Sequence, residues 1–312
     1  MVWTGEGGLD LARPPQLLRS IDLSPRTGRW TGPGEAAYGW WRVVGAVILR
    51  KFFVAALAVV SGLTASLPAG AQDIHIVHCY RGACPTGTPF SNDLVVREIY
   101  ALSSNDTTKL ADWVAYRVTR ETMGTSADLN RNWRSDEFLD EDETLEAGRG
   151  ARDDYQGANQ THGYDRGHQA PLASFAGTPF WRSTNIYSNI TPQSAALNQG
   201  AWVALEAAVR DLAWARRELY VLTGPLYERI MPGLDNAGEP HRVPSAYWKL
   251  VIDAAGNSTG FVFDQATPRG ADYCDHRSTL AEIERRSGLV LIAAGLSQAG
   301  GELGAALGCV VV

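Results

Sequence analysis

Several signatures of common enzyme and metal-binding classes are missing from this 312-residue sequence. It has no G-x-S-x-G motif, which excludes the nucleophile turn of the α/β hydrolases. Its four cysteines form no C-x-x-C pair, which disfavours a structural zinc centre. Basic residues are outnumbered by acidic residues, with 28 Lys and Arg against 34 Asp and Glu. This charge is unusual for a passive nucleic-acid binder, whose affinity depends on basic side chains at phosphates.

Sustained periodicity is absent from the first forty residues, so nothing there predicts a packed element. A basic flank at Arg50 and Lys51 then precedes the apolar residues 52–60, and Ala69 and Ala71 are small residues two apart. These are the parts of a secretory signal peptide with its cleavage box. The alternative is a membrane anchor, but the apolar run is interrupted and short for a stable span.

The sequence therefore predicts two regions. Residues 1–71 are a leader with its signal peptide at about 42–71, and residues 72–312 are the mature domain. Because signal peptides stand at the start of a chain, we interpret residues 1–40 as read from an upstream start codon and not translated in the cell. The leader holds seven Lys and Arg against four Asp and Glu, so the mature domain holds 21 against 30, a net charge of −9. Such a domain can act on nucleic acid if its basic residues are concentrated in one cleft.

All the cysteines belong to the predicted mature domain: Cys79, Cys84, Cys274 and Cys309. An even number of cysteines in an exported protein favours disulfides. Of the three pairings, Cys79–Cys84 with Cys274–Cys309 is the most economical, since the first closes a tight loop and the second ties the C-terminus to the body. Zinc ligation is the alternative.

The middle of the chain predicts mixed structure. Residues 94–102 and 112–118 are rich in β-branched and aromatic residues and predict two strands, with a turn at Asn105. Residues 156–163 predict a loop. Arg131 lies in another polar loop, where it is either a phosphate clamp or a surface arginine without a role.

The segment Tyr164 to Pro171 carries the sequence D-R-G-H and predicts an extended strand. Arg166 and His168 are two residues apart and therefore project from one face of a strand, whereas Asp165 faces away and is expected to bind backbone amides. Histidine can take a proton from water near neutral pH, and arginine offers a planar fork for phosphate oxygens. A turn with a hydrogen-bonded histidine is the alternative.

Downstream of this motif, three asparagines precede and begin an amphipathic helix. Asn185 and Asn189 are either turn-forming or functional, and Asn198 is expected at the helix start, where asparagine is a favoured cap. The buried stripe of the helix is predicted from apolar residues at helical spacing, which are Trp202, Leu205, Val209 and Leu212.

Glu206 and Arg210 are four residues apart on this helix and are therefore neighbours on one face. A surface ion pair is one interpretation. The other is a metal site, in which the neutral amide oxygen of Asn198 binds Mg²⁺ and Glu206 accepts hydrogen bonds from metal-bound waters.

These motifs together resemble the DNA/RNA non-specific endonucleases of the ββα-metal, Serratia type. The resemblance extends over about residues 75–310. It rests on matching segments in the same order, at Cys79 with 84–87, and at 107–109, 113–116, 131–133, 165–174, 188–193, 197–202, 223–229, 244–249, 263–265 and 270–274.

The resemblance implies a role for each matching side chain. His168 is expected to be the general base and Asn198 the single direct Mg²⁺ ligand, with Mn²⁺ as the alternative ion. Glu206 holds the metal-bound waters. The remaining expected roles are transition-state stabilisation by Arg166, active-site positioning by Asn189, substrate binding by Arg131, Arg210 and Asn185, and disulfides in the two pairs already favoured.

The resemblance also implies an α+β fold, with a central antiparallel sheet flanked by helices and a β-hairpin crossing a helix at the metal site. The implied reaction is hydrolysis of DNA and RNA to 5′-phosphorylated oligonucleotides by a secreted or periplasmic enzyme, with a homodimer reported for close relatives. The alternatives are a catalytically silent nucleic-acid-binding protein on this scaffold and a toxin nuclease with an immunity partner.

Overall fold

The computed structural model describes residues 75–148, 153–292 and 300–309. The predicted leader and its cleavage site lie outside these ranges. The strands are β1 (Asp93–Val96), β2 (Tyr100–Asn105), β3 (Leu110–Thr119), β4 (Tyr164–His168), β5 (Ile190–Ser194), β6 (Glu218–Leu226), β7 (Ala246–Ile252), β8 (Ser258–Asp264) and β9 (Arg277–Ser278). The α-helices are α1 (Ala158–His162), α2 (Ala195–Leu197), α3 (Val203–Arg216), α4 (Leu280–Ser287) and α5 (Gly300–Ala306).

Seven strands form one antiparallel sheet in the order β1-β2-β3-β6-β7-β8-β9, and β4 and β5 form a separate two-stranded hairpin. Alternate residues of the central strands face opposite sides of the sheet. In β3, Val114 and Tyr116 pack in the cluster that contains α3, whereas Trp113 and Ala115 pack in the cluster that contains Ile283 of α4. Both faces of the sheet are therefore covered. The expected α+β fold with an antiparallel sheet flanked by helices is confirmed.

Two local predictions are wrong. Residues 94–102 form the β1–β2 hairpin, not one strand, because the chain turns at Arg97, whose N–H donates to Tyr100 O over 2.8 Å. The predicted loop at 156–163 contains the short helix α1, which lies between Gly157 and Gly163, both at positive φ. The predicted strand at 112–118 lies within β3, as expected.

The helix that carries the site begins earlier than predicted. Ser194 is the cap, because its Oγ accepts from Leu197 N at 3.3 Å, so Asn198 lies one turn inside. Asn198 instead opens a π-helical turn that extends to Trp202. Gly200 is required in this turn, since a Cβ there would lie 2.4 Å from Arg269 O. The buried stripe Trp202, Leu205, Val209 and Leu212 is confirmed.

The cysteine pairing Cys79–Cys84 and Cys274–Cys309 is confirmed. The second bridge joins the segment after β8 to the chain that follows α5. Within the described ranges, no helix has the length and apolar character that a membrane span requires.

The larger disulfide loop is expected to contribute more stability, because a bridge restricts the unfolded chain in proportion to the logarithm of loop length. Replacing Cys274 and Cys309, separated by 35 residues, with alanine should lower the free energy of unfolding by about 3–4 kcal/mol. The matched Cys79→Ala and Cys84→Ala change, with a separation of 5, should cost about 2 kcal/mol. Urea unfolding of both variants measures the difference, and a reversed order would contradict this account.

Candidate active site

The β4–β5 hairpin and the start of α3 meet at an open cleft of 830 Å³. In the hairpin, Arg166 pairs with Pro192 and His168 with Ile190, and β5 continues directly into α2 and the π-helical turn. This connection brings the end of β4 beside the first turns of the helix. Six of the predicted site residues line the cleft, which are Arg131, Arg166, His168, Asn198, Glu206 and Arg210.

His168 has one ring nitrogen engaged by the protein. Its Nε2 lies 3.0 Å from Asn185 Oδ1, and Asn185 Nδ2 donates to Asn130 O at 3.4 Å. Since the amide nitrogen is directed to a carbonyl, the amide oxygen faces the ring and Nε2 carries the proton. Nδ1 is then the atom with a free lone pair.

The pKa of His168 is lowered to about 4. Burial is the main cause, the hydrogen bond with Asn185 acts in the opposite direction, and the positive charge of Arg131 lowers the pKa further. A half-buried imidazole with this pKa is neutral at physiological pH. His168 is therefore in the protonation state that a general base requires.

Asn185 and Asn189 do not line the cleft, and this corrects the substrate contact expected of Asn185, whereas Asn189 was expected to position the site. Asn185 is buried and holds the His168 ring, so it is a positioning residue. Asn189 is fully buried, accepts from Ala170 N at 2.8 Å and donates to the carbonyls of Ala170 and Thr184 at 3.0 and 2.9 Å. All of these bonds go to the backbone beside the site, so its role is to fix the loop after β4.

Arg166 is held rigidly in the cleft wall. Its Nη2 donates to Asp153 Oδ2 at 2.7 Å and its Nε to Tyr187 Oη at 2.8 Å, and its guanidinium lies 5.5 Å from the ring centre of Trp133. The sequence did not single out Asp153 or Tyr187, because each is distant from the motif along the chain. Their contacts preorganise the orientation of the guanidinium.

Arg131 and Arg210 differ from Arg166 in their surroundings. Arg131 is exposed and Arg210 half-buried, and neither forms an ion pair with any described residue. The alternative prediction, a surface ion pair between Glu206 and Arg210, is therefore wrong. Both guanidinium groups are available to an anionic ligand in the cleft.

Asp165 also lines the cleft, which corrects the expectation that it faces away and binds backbone amides. Its Oδ2 accepts from Asn198 Nδ2 at 2.9 Å and from Gln199 Nε2 at 2.7 Å, and its Oδ1 accepts from Asn159 at 2.8 Å. Because the amide nitrogen of Asn198 is bound to Asp165, its carbonyl oxygen is the atom left to bind a ligand.

Glu206 is largely buried in the wall of the cleft, and its Oε1 has no hydrogen-bond partner among the described residues. Burial raises the pKa of Glu206, while Lys249 and Arg210 act to lower it. Lys249 is fully buried, with Nζ 3.2 Å from Tyr116 Oη and 4.1 Å from the ring centre of Trp202. The two buried charges therefore stabilise each other.

An amide oxygen and an unpartnered buried carboxylate oxygen fit a hard cation that keeps most of its water ligands. The donor set contains no sulfur or imidazole group that would favour a softer metal. A group of carboxylates elsewhere, Asp93, Asp106 and Glu143, shares no residue with the cleft. The residues of the cleft therefore fit the predicted kind of metal site.

A hairpin that carries a histidine and an arginine, followed by a helix that carries an amide and a carboxylate, is the arrangement expected of a ββα-metal nuclease. A family model for the DNA/RNA non-specific endonucleases matches residues 82–299. The chain belongs to this family and is a hydrolytic endonuclease. The resemblance expected from the sequence is confirmed.

Individual relatives agree with this assignment. The chain is 47% identical over 214 residues to a nuclease of Serratia marcescens, covering 67% of this chain and 77% of the relative. It is 30% identical over 309 residues to mitochondrial endonuclease G of Bos taurus, covering 91% and 96%. The solved structure of EndoG in complex with EndoGI has the same fold, with a TM-score of 0.54 and 23% identity over 66% of this chain and 87% of that one.

We expect the His168 imidazole to be half-protonated near pH 4 in the folded, metal-free protein, with the neutral form dominant above that pH. NMR titration of ¹³Cε1-labelled histidine measures this, and the His168→Ala spectrum assigns the signal. Arg131→Ala removes a neighbouring positive charge and should move the midpoint to higher pH. A midpoint near the ordinary value of about 6.5 in the unaltered protein would contradict the neutral-base assignment.

Proposed function

We propose that this protein is a sugar-non-specific endonuclease that hydrolyses phosphodiester bonds of single- and double-stranded DNA and RNA, leaving 5′-phosphorylated ends. The observation that carries the proposal is a neutral His168 in the same cleft as three arginines and the Asn198 amide. The family match and the nuclease relatives support the same reaction.

In the proposed reaction, His168 Nδ1 accepts a proton from the water that attacks the phosphorus. Asn185 holds the opposite ring nitrogen and so keeps the accepting nitrogen available. Arg166, fixed by Asp153 and Tyr187, donates to the phosphate oxygens on which negative charge increases. Arg131 and Arg210 bind phosphates in the same cleft.

Asn198 and Glu206 would hold a hydrated Mg²⁺ ion, with Mn²⁺ as the alternative, Asn198 by direct ligation and Glu206 through water. When bound, such an ion stabilises the negative charge of the departing 3′-oxygen. Asp165 keeps the oxygen of the Asn198 amide directed to the ligand.

Contacts to phosphates would also account for the lack of selectivity. The positively charged side chains of the cleft are arginines. Contacts from arginines to the phosphates of a nucleic acid do not distinguish one base from another. A cleft of this kind accepts either sugar as long as the phosphate geometry is met.

We further propose that residues 72–312 are the mature enzyme and that the leader directs export. The two disulfides support an oxidising compartment. N-terminal sequencing of the protein from the medium and periplasm tests this proposal, and an exported species that begins before residue 40 would contradict the assigned start.

The central test uses residues 72–312, produced by an oxidising export route, with plasmid DNA and with RNA. Both polymers should be degraded with Mg²⁺ and remain intact with excess EDTA. His168→Ala should lower the rate about 10²–10⁴-fold, because the proton acceptor is removed, while Mn²⁺ binding measured by electron paramagnetic resonance is retained.

Asn198→Ala provides the matched comparison, since it should weaken both metal binding and activity. Intact polymers with a folded, disulfide-bonded wild-type protein would favour the catalytically silent binding protein. Normal turnover by His168→Ala would remove this residue as the base.

Asp165→Ala should weaken Mn²⁺ binding about 10–100-fold, because the partner that orients a metal ligand is lost. Asn159→Ala is the control, since it removes another hydrogen bond of Asp165 but retains the bond to Asn198. Calorimetric titration of metal into both variants separates this effect from catalysis. Equal affinity in Asp165→Ala and wild type would show that Asp165 does not orient the ligand.

A further inference from the structure

One face of α3 continues out of the cleft onto the open surface. We call Val203, Arg210, Trp214 and Arg217 the α3 ridge, because the first three are spaced seven and four residues apart on one side of the helix and Arg217 directly follows its last residue. Val203 and Arg210 line the cleft. Trp214 lies one turn beyond Arg210 and its exposed fraction is 58%. Tryptophan side chains are highly buried on average in folded proteins, so the exposure of Trp214 is unusual.

A second segment follows the same path. The loop at residues 120–126 begins under Trp214, where Arg120 donates from Nε and Nη2 to Trp214 O at 3.1 and 2.6 Å. The Arg120 guanidinium lies 5.0 Å from the indole centre. The same loop reaches Ser126, which lines the cleft. The ridge and the cleft are therefore one continuous surface with the indole ring supported from one side.

The charge of this surface differs from that of the whole protein. Arg120, Arg210 and Arg217 are three arginines on or beside the ridge without an ion pair to any described residue. Glu121, Asp211 and Glu218 are the acidic neighbours along the chain, and Glu218 forms a salt bridge with Arg117, so the local balance is positive by one charge. Residues 72–312 carry 21 basic and 30 acidic side chains, a net charge of −9. An anionic ligand is therefore favoured here over most of the remaining surface.

We propose that the α3 ridge binds the single-stranded part of a nucleic-acid substrate that extends beyond the cleft. Trp214 stacks on an unpaired base, and Arg120 and Arg217 contact the phosphates on either side. An aromatic side chain with adjacent arginines is the combination that binds single strands without sequence preference. This inference rests on the proposed function, because the scissile phosphate lies in the cleft.

The dimensions of the helix set the substrate length. Trp214 lies about 6 Å from Arg210 along the helix axis at 1.5 Å per residue, and the helix ends at Arg216, about 9 Å from Arg210 and one residue before Arg217. Nucleotides at the duplex spacing of about 3.4 Å per strand cover this distance in about three, and an extended single strand needs fewer. The ridge therefore affects oligonucleotides that extend at least three nucleotides past the cleavage site and does not reach a dinucleotide.

The test compares KM for a single-stranded 12-mer, a blunt 12-base-pair duplex and a dinucleotide, each with Mg²⁺. Trp214→Ala should raise the ratio of the 12-mer KM to the dinucleotide KM about 10-fold, with a smaller change for the duplex, whose bases are already stacked. Trp214→Phe should retain most of the affinity for the 12-mer, since the phenyl ring also stacks. Arg217→Ala should raise the 12-mer KM more than Arg285→Ala does. The second variant removes one positive charge from an exposed arginine of α4 and is the control for charge alone.

An unchanged 12-mer KM in Trp214→Ala, or an equal rise for the single strand and the duplex, would overturn the ridge while wild-type cleavage upholds the proposed function. A change in the oligomeric state of Trp214→Ala, measured by light scattering, with an unchanged 12-mer KM would show that the ridge binds a second copy of the chain and would also overturn the proposal.

Fluorescence anisotropy of a labelled 12-mer in EDTA tests binding to the ridge independently of cleavage. Wild-type protein that binds the 12-mer through Trp214 but cleaves nothing would refute the proposed function alone.

Discussion

The hydrogen bond between Asp165 and Asn198 joins the two parts on which the site depends. Asp165 belongs to β4 and Asn198 to the π-helical turn after α2, so one carboxylate connects the strand that carries His168 to the helix that carries Glu206. The bond engages the amide nitrogen of Asn198, which determines the direction of the oxygen. Gly200, in the π-helical turn that Asn198 opens, allows the helix to approach the backbone at Arg269 closely.

Buried charges give the site its electrostatic character. Lys249 lies on β7 between Tyr247 and Val251, on the face of the sheet that packs against α3. This position places its ammonium group next to Trp202 and in the field of Glu206. A carboxylate without a nearby cation at this depth would be protonated, because burial disfavours its charge. The sheet is therefore part of the site's chemistry as well as its scaffold.

Much of the site could be predicted from residue types and spacing, and the errors have physical causes. Arg166 and His168 share the cleft because residues two apart on a strand project from one face. Asp165 was misplaced because the alternation of side chains along a strand does not account for the helix that crosses the hairpin. Asn198 and Gln199 of that helix donate hydrogen bonds to the Asp165 carboxylate. Asn185 and Asn189 were assigned near the chemistry, but only the packed loop shows that one holds the imidazole and the other the backbone.

The sequence by itself determined the strand and helix periodicities, the family, the economical cysteine pairing and the residue types of the cleft. These depend on local geometry or on motifs that are contiguous in the chain. Only the tertiary structure decided that Arg166 binds Asp153 and that the positive charge of Lys249 acts on Glu206. It also decided that Trp214 is exposed next to the cleft. Each of these contacts and exposures depends on how segments distant in the sequence pack together. The spacing of residues along the chain does not reveal that packing.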